Sequence, residues 1–308
     1  MKEIGNKSTR LKSDMLRYRV IDCVLRSGLR VLPVWNWSER LALWWGFRFR
    51  PAPAVVKLRS GALMHFDTID YLQLLIYYLG TFEPHCLPYF KSCAGRGATI
   101  IDVGANIGLH TLEGAMAVGP TGRVISIEAA PSNRQALKRN IELNHMKNIC
   151  LIAAAAGDST GSATLSLASG GHQGMFTLGR TDGHGSYAVE VEVQRIDDVL
   201  FENKIASVDL IKMDIEGSEY RALRGALRTL QEFRPAILLE LNENALRSCQ
   251  TSSKNVKELL DDLGYRGWVI ERMGIRPINS MQLFHNCDEC LFVHRDRTSL
   301  VSKLRLPS

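Results

Sequence analysis

Residues 100–117 read IIDVGANIGLHTLEGAMA: an apolar run ends in Asp102, and Gly104, Asn106 and Gly108 follow before a helix-like pattern begins. Glycine at 104 and 108 lets the backbone turn tightly after a strand and lets a ligand come close. The free N–H groups that open the next helix, with the positive end of its dipole, then face that ligand. The spacing is G-x-N-x-G rather than the G-x-G-x-x-G of a dinucleotide turn, and a carboxylate two residues before the first glycine repels a pyrophosphate. The same carboxylate attracts a cation, such as the ammonium or sulfonium of S-adenosylmethionine. Glu128 ends the next apolar run, where a carboxylate can accept both hydroxyls of a ribose, and Asp158 follows the third run, where it can accept from an adenine amino group. Three carboxylates at successive strand ends suit a cationic nucleoside.

A second acidic group, Asp214, Glu216 and Glu219, lies in IKMDIEGSE at 211–219. Part of its acidity belongs to a helix N-terminus, favoured by the dipole and by capping geometry, and Glu219 is assigned to capping alone. Asp214 and Glu216 are the candidates to orient or deprotonate an acceptor hydroxyl. His172 and His184, in a polar loop, are lesser candidates for a base, because such an imidazole is normally solvated. No paired ligand spacing supports a metal, and none is assigned. Cys287-Asp-Glu-Cys290 is a lone C-x-x-C without a second pair, and reads as thiols in a strand.

These residues need elements to hold them. The pattern predicts strand 99–103, a helix near 107–118, a turn at Thr121-Gly122, strand 123–128, helix 132–145 opened by Pro131, and strand 149–154. Strand 208–213, helix 218–232, strand 236–241, helix 254–263 ending at Gly264, and strands near 267–272 and 283–293 resume the beat. Such alternation predicts a doubly wound α/β domain over 96–295. Residues 161–194, rich in Gly, Ser and Thr with two alternating stretches, predict a hairpin excursion able to serve as a lid. A lead-in over 51–95 contains a hairpin at 55–66 turning at Ser60-Gly61 and a helix at 70–80 stopped by Gly80. A basic tail, 296–308, closes the chain.

A chain of 308 residues with 45% hydrophobic and 23% charged residues is long and apolar enough to fold around a full core. Its seven cysteines are odd in number and scattered, which favours a reducing compartment over a disulfide framework. The net charge of +6 is placed unevenly: residues 1–50 carry eleven Lys/Arg against four Asp/Glu, a surplus of seven, and the rest is close to neutral. Four of the five tryptophans, Trp35, Trp37, Trp44 and Trp45, lie in the same segment, which predicts one or two amphipathic helices around Pro33. Two destinations stand open for them, packing on the main domain or contact with an anionic membrane surface. No run approaches the roughly 18 apolar residues of a membrane span, and Arg17, Arg19, Asp22, Arg26 and Arg30 interrupt any secretory h-region, so the cytoplasm is expected, with peripheral contact at the inner membrane surface. Nucleic acid is not an expected partner, since no basic stripe with interleaved aromatics crosses the core. A nicotinamide-dependent oxidoreductase and a non-catalytic membrane-surface protein with a vestigial pocket are the rival readings.

The stretches IIDVGANIGLHT, IEAAPSNRQALKRNIELN, AAAAGDSTG, VDLIKMDIEGSEYRALRGA and RPAILLELN, in this order, resemble the FkbM family of S-adenosylmethionine-dependent methyltransferases, and YYLGTFEPH at 77–85 is similar to that family's lead-in. The resemblance spans about residues 65–295. It implies a Rossmann-like class I methyltransferase fold, a seven-stranded, mostly parallel sheet with an antiparallel last strand, to which residues 1–50 add a helical extension. It further implies O-methylation of a hydroxyl on a sugar, glycan, glycolipid or polyketide-like acceptor. By this likeness Glu83, Asp102, Gly104, Asn106, Gly108, Glu128 and Asp158 hold the cofactor and Asp214 and Glu216 flank the methyl site. Glu128-Ala129-Ala130-Pro131 departs from the family's E-P-x-P pattern, which bears on the loop and leaves the acid in place.

Overall fold

The computed structural model describes residues 20–31, 36–66, 71–167, 176–178, 188–272, 274–278 and 287–304, in a chain that divides into two compact units, 1–84 and 85–308. In the first unit two helices stand where one or two were expected, α1 over 20–31 and α2 over Asn36–Phe49; Pro33 lies outside the described residues. A hairpin follows, β1 (Ala54–Lys57) and β2 (Leu63–Phe66), and then α3 (Tyr71–Leu79). The hairpin turns where Ser60-Gly61 predicts, with Gly61 at φ 99°, and α3 stops at Gly80, φ 70°. Ser38, Ala42 and Gly46 form the buried side of α2. A Cβ at Gly46 would stand 2.6 Å from a Leu74 methyl of α3, so small residues set how closely these helices approach. Leu29, Val56, Phe66, Leu74 and Tyr78 fill this unit's core.

The second unit opens with α4 (Leu87–Cys93), β3 (Thr99–Val103), α5 (Leu109–Val118), β4 (Arg123–Ile127), α6 (Pro131–Leu143) and β5 (Ile149–Ile152). The excursion follows as β6 (Ala155–Ala156), β7 (Gly161–Leu167), β8 (Phe176–Thr177) and β9 (Ala188–Gln194), a separate sheet in the order β6-β9-β7-β8. Next come α7 (Ile196–Glu202), β10 (Leu210–Met213), α8 (Glu219–Arg224), α9 (Leu227–Glu232), β11 (Ala236–Asn242), α10 (Glu243–Ser248) and α11 (Ser253–Asp262). The chain ends in β12 (Tyr265–Glu271), β13 (Gly274–Pro277), β14 (Cys287–His294) and α12 (Thr298–Leu304).

The main sheet runs β13-β12-β14-β11-β10-β3-β4-β5, with β14 antiparallel to both neighbours. The seven strands that the resemblance implies are all present, antiparallel member included, and β13 makes an eighth at the edge. Its four residues, GIRP, do not read as a strand because Pro277 cannot donate to a ladder, a defect that only an edge position tolerates. Helix 218–232 also differs from expectation, since it is broken into α8 and α9. The buried Asp197 carboxylate accepts from Arg228 N, Thr229 N and Thr229 Oγ1, giving α9 an N-terminal cap from outside its own sequence neighbourhood.

Strand alternation sends Ile101, Val103, Ile125, Ile127, Ile211, Met213, Ile237 and Leu239 to one face, against Leu223, Leu230, Val256 and Leu260. Ile100, Val124, Leu210, Ala236, Leu238 and Leu291 take the other, against Phe90, Ala115, Val118 and Leu300. Helices thus cover both faces, and strands buried on both sides read as continuous apolar runs. On the second face this pattern stops toward the carboxyl ends of the parallel strands. The positions two further along are Asp102, Ser126 then Glu128, Lys212 then Asp214, and Glu240, which is paired in register with Glu289 on β14. Among the described residues no helix is long and apolar enough to cross a membrane.

Candidate functional site

The turn after β3 is held by the protein at nearly every amide. Gly104 N and Ala105 N donate to Ile127 O at 2.9 and 3.1 Å, Gly108 N to Ala105 O at 2.9 Å, and Asn106 N to Glu128 Oε2 at 2.7 Å. Gly104, Asn106 and Gly108 all take positive φ, at 78°, 49° and 101°. The glycines are demanded by neighbouring chain more than by open space for a ligand. A Cβ at 104 would stand 1.9 Å from Asp214 O, and one at 108 would stand 2.3 Å from Leu137 Cδ1. The turn is wedged between the loop after β10 and helix α6.

Glu128 stands at the tip of β4 and is 6% exposed. Its Oε1 accepts from Ala130 N at 2.8 Å while Oε2 accepts from Asn106 N, so two backbone amides fix the carboxylate plane. Burial outweighs these bonds and pushes its pKa up to about 7. Asp102 is 2% exposed and turned inward, accepting from Thr111 Oγ1 at 2.6 Å; the Thr111 hydroxyl also lies 2.8 Å from Ser126 Oγ. Burial raises Asp102 to about 6, against the pull of Thr111 and Lys212. Its position is that of a brace between β3 and α5, where the sequence suggested an exposed tip. Asp158 sits past β6 rather than at the tip of β5, exposed, with Arg224 at 4.0 Å. Glu83, φ 47°, belongs to the first unit, a different body from the strand tips.

After β10 the acids gather with three groups that sequence reasoning passed over, Lys212, Glu240 and His110. Lys212, 3% exposed, points its Nζ to within 3.5 Å of Asp214 Oδ2. Burial, then the Asp214 charge and the hydrogen bond they share, push Glu240 up to about 11, so Glu240 is the protonated member and donates to Asp214. Burial works upward on Asp214 too, but Lys212, the Glu240 hydrogen bond and His110 hold it below its ordinary value, as the ionised member. Burial and then Lys212 push His110 down to about 3, leaving a neutral imidazole beside this carboxylate, with the Phe90 ring at 5.8 Å. Burial, followed by Asp214 and Glu219, raises Glu216 to about 7. Its backbone takes φ 51°, and its carbonyl accepts from Thr177 Oγ1 of β8 at 2.8 Å, so the excursion does reach this loop. Glu219 braces the loop as the capping assignment expects, accepting from Ile215 N and Gly217 N at 3.1 and 3.2 Å. His172 and His184 lie outside the described residues.

The signal for Lys212 and Glu240 was legible in principle, because each is the one charged residue inside a largely apolar strand, LIKM and AILLELN. A charge there stands only if it is paired or neutralised. His110 carried no such mark. Cys290, in β14, is fully buried and its thiol is pushed well up by that burial, as thiols in a strand would be.

Residues 102–266 match the Methyltransferase FkbM domain family, more than half of the chain. Two curated fungal relatives match as well. Methyltransferase 1 of Beauveria bassiana is 27% identical over 143 residues, which cover 41% of this chain and 57% of the relative. Methyltransferase sdnD of Sordaria araneosa is 26% identical over 232 residues, covering 66% of this chain and 86% of its own. Among solved structures, a methyltransferase FkbM from Methylobacillus flagellatus aligns over 92% of this chain and 60% of its own, at 20% identity and TM-score 0.40. TYW2 of M. jannaschii, in complex with AdoMet, aligns over 80% and 88% at 15% identity and TM-score 0.42. The chain therefore spans less than two thirds of the first relative and of the first structure, and at these TM-scores the assignment stands on the family match and the strand order. Both point away from a nicotinamide oxidoreductase: this chain belongs to the FkbM family of methyltransferases.

Proposed function

We propose that the protein transfers a methyl group from S-adenosylmethionine to a hydroxyl of a small-molecule or glycan acceptor, of the sugar, glycolipid or polyketide-like class. The observation that carries this reading is the change of one sheet face from apolar to ionisable at the carboxyl ends of its strands, where open α/β sheets bind ligands. The donor set fits a cationic nucleoside: Asp214 is ionised and half-buried, Glu128 titrates near neutrality, and the neighbouring imidazole is uncharged. Each oxygen of Glu128 uses one lone pair on a backbone amide and keeps a second for a ribose hydroxyl. Asp102 acts at one remove, by fixing the turn and α5 through Thr111. Asp158, paired with Arg224, is the weakest member of the expected set.

When bound, S-adenosylmethionine supplies an electrophilic methyl on a sulfonium. The protein's part is to align an acceptor oxygen and to receive its proton. Asp214 is the group we assign to receive it, because Lys212 and Glu240 keep it ionised. Glu216, about half protonated at neutral pH, orients the acceptor. The Thr177 bond to the Glu216 carbonyl lets the excursion shield this loop from water.

Titration calorimetry with S-adenosylmethionine and with NAD tests the cofactor: binding of the first and loss of that binding in Glu128→Ala are expected, and binding of NAD alone removes the reading. Comparative mass spectrometry of glycans, lipids and small metabolites from cells with and without the protein tests the acceptor, through a product that loses one methyl increment.

A further inference from the structure

We propose that helices α1 and α2 form a surface that docks peripherally on an anionic lipid interface. Helix α1 carries much of its pattern inverted. Its charged residues turn into the first unit: Asp22 accepts from Tyr77 OH at 2.7 Å, from Tyr78 OH at 2.5 Å and from Trp45 Nε1 at 3.3 Å. Arg26 lies over the Tyr77 ring at 5.0 Å, and Arg30 donates to the Lys57 and Tyr77 carbonyls. Leu25 and Leu29 pack on the core, but four further apolar residues turn out, Val20 57%, Ile21 47%, Val24 67% and Val31 82% exposed. A helix that faces only water carries the opposite arrangement.

Helix α2 repeats the theme with aromatic side chains. With Ser38, Ala42 and Gly46 buried, its outer face presents Trp37 (51% exposed), Trp44 (63%) and Phe47 (48%), and the exposed Arg40 and Arg48 alternate with them at helical spacing. Seven of the ten exposed large hydrophobic side chains among the described residues lie in these two helices, a concentration beyond the ordinary scatter of single apolar residues. Tryptophan and arginine together suit the headgroup zone, where ring and guanidinium each find both an apolar and a polar neighbour. The occupant's sign follows from the exposed Arg40 and Arg48 of α2, in a segment, residues 1–50, whose sequence carries a surplus of seven positive charges. A second copy would set the same arginines against one another. Among the described residues no helix is long and apolar enough to span, so the contact lies in the interface plane. The surface belongs to the first unit and does not depend on what the second unit transfers.

Sedimentation of the full chain with vesicles tests this. Binding is expected to phosphatidylcholine vesicles containing phosphatidylglycerol and not to phosphatidylcholine alone, with a blue shift of tryptophan emission and release by salt. Trp37→Ser with Trp44→Ser, and Arg40→Glu with Arg48→Glu, should each weaken binding about tenfold or more, with circular dichroism and cofactor affinity unchanged, since all four side chains are exposed. Absence of binding to the anionic vesicles overturns the proposal, as does binding by both variants at the level of the parent. A solution dimer that the variants turn into monomers assigns the patch to a second copy and overturns it equally.

Discussion

Glu128, which we propose to hold the ribose, is oriented by backbone. Two amides fix its plane, and burial sets it to titrate near neutrality. Because the ionised form is the one that accepts ribose hydroxyls, affinity for S-adenosylmethionine should rise from about pH 6 to about pH 8, by at most about tenfold per pH unit. Glu216 titrates in the same range, so the comparison with Glu128→Gln isolates the effect: calorimetry on that variant should give weaker binding and a shallower pH slope. Glu219 makes a separate case. Its Oε1 serves two amides while its Oε2 is buried with no hydrogen-bond partner among the described residues, and burial raises its pKa to about 7. The folded state then keeps this proton to higher pH than the unfolded chain does, so the group's contribution to stability falls as pH rises from the ordinary glutamate value through 7. Glu219→Gln should therefore match or exceed the parent's stability at about pH 8, while Glu219→Ala, which strands two amides, should lose about 1–3 kcal/mol in denaturant titration.

At the scale of elements, the sequence named the turn at 104–108 correctly and misjudged the reason for its glycines. Local patterning shows that a strand must become a helix there, but the carbonyl of Asp214 against Gly104 arrives from 110 residues away in the chain. Gly104→Ala should cost about 2–6 kcal/mol, from a left-handed backbone and an overpacked contact together. Gly28→Ala, in α1 with nothing within 4 Å of its Cβ, should gain about 0.5–1 kcal/mol. Denaturant unfolding of the two variants measures both, and equal effects would show that contact at 104 is unimportant. The break between α8 and α9 was invisible for a similar reason: helical periodicity continues across it, while the cap that splits it comes from Asp197.

The whole molecule is two units with separate cores, and the basic charge of the first contrasts with the acid-lined sheet face of the second. A cofactor that binds only folded protein adds stability by mass action. S-adenosylmethionine at a hundred times its dissociation constant should thus contribute about 2.7 kcal/mol to the unit that holds it. A thermal scan of the parent and of Glu128→Ala, with and without the compound, reads this as a midpoint increase confined to the parent.

By itself the sequence determined the α/β alternation, the strand ends at Val103 and Met213 and, to within one residue, at Ile127, and the hairpin excursion, because each follows from periodicity and turn chemistry within some fifteen residues. It also determined that acids gather at those ends, since Asp102, Glu128 and Asp214 each terminate or follow an apolar run. Only the tertiary structure decided what those acids do: Asp102 faces a threonine, Glu128 grips two amides, and Asp214 lies between a buried lysine and a protonated glutamate. Proton affinity and orientation depend on burial and on charges that distant strands bring within a few ångströms, and no local pattern in the chain encodes that proximity.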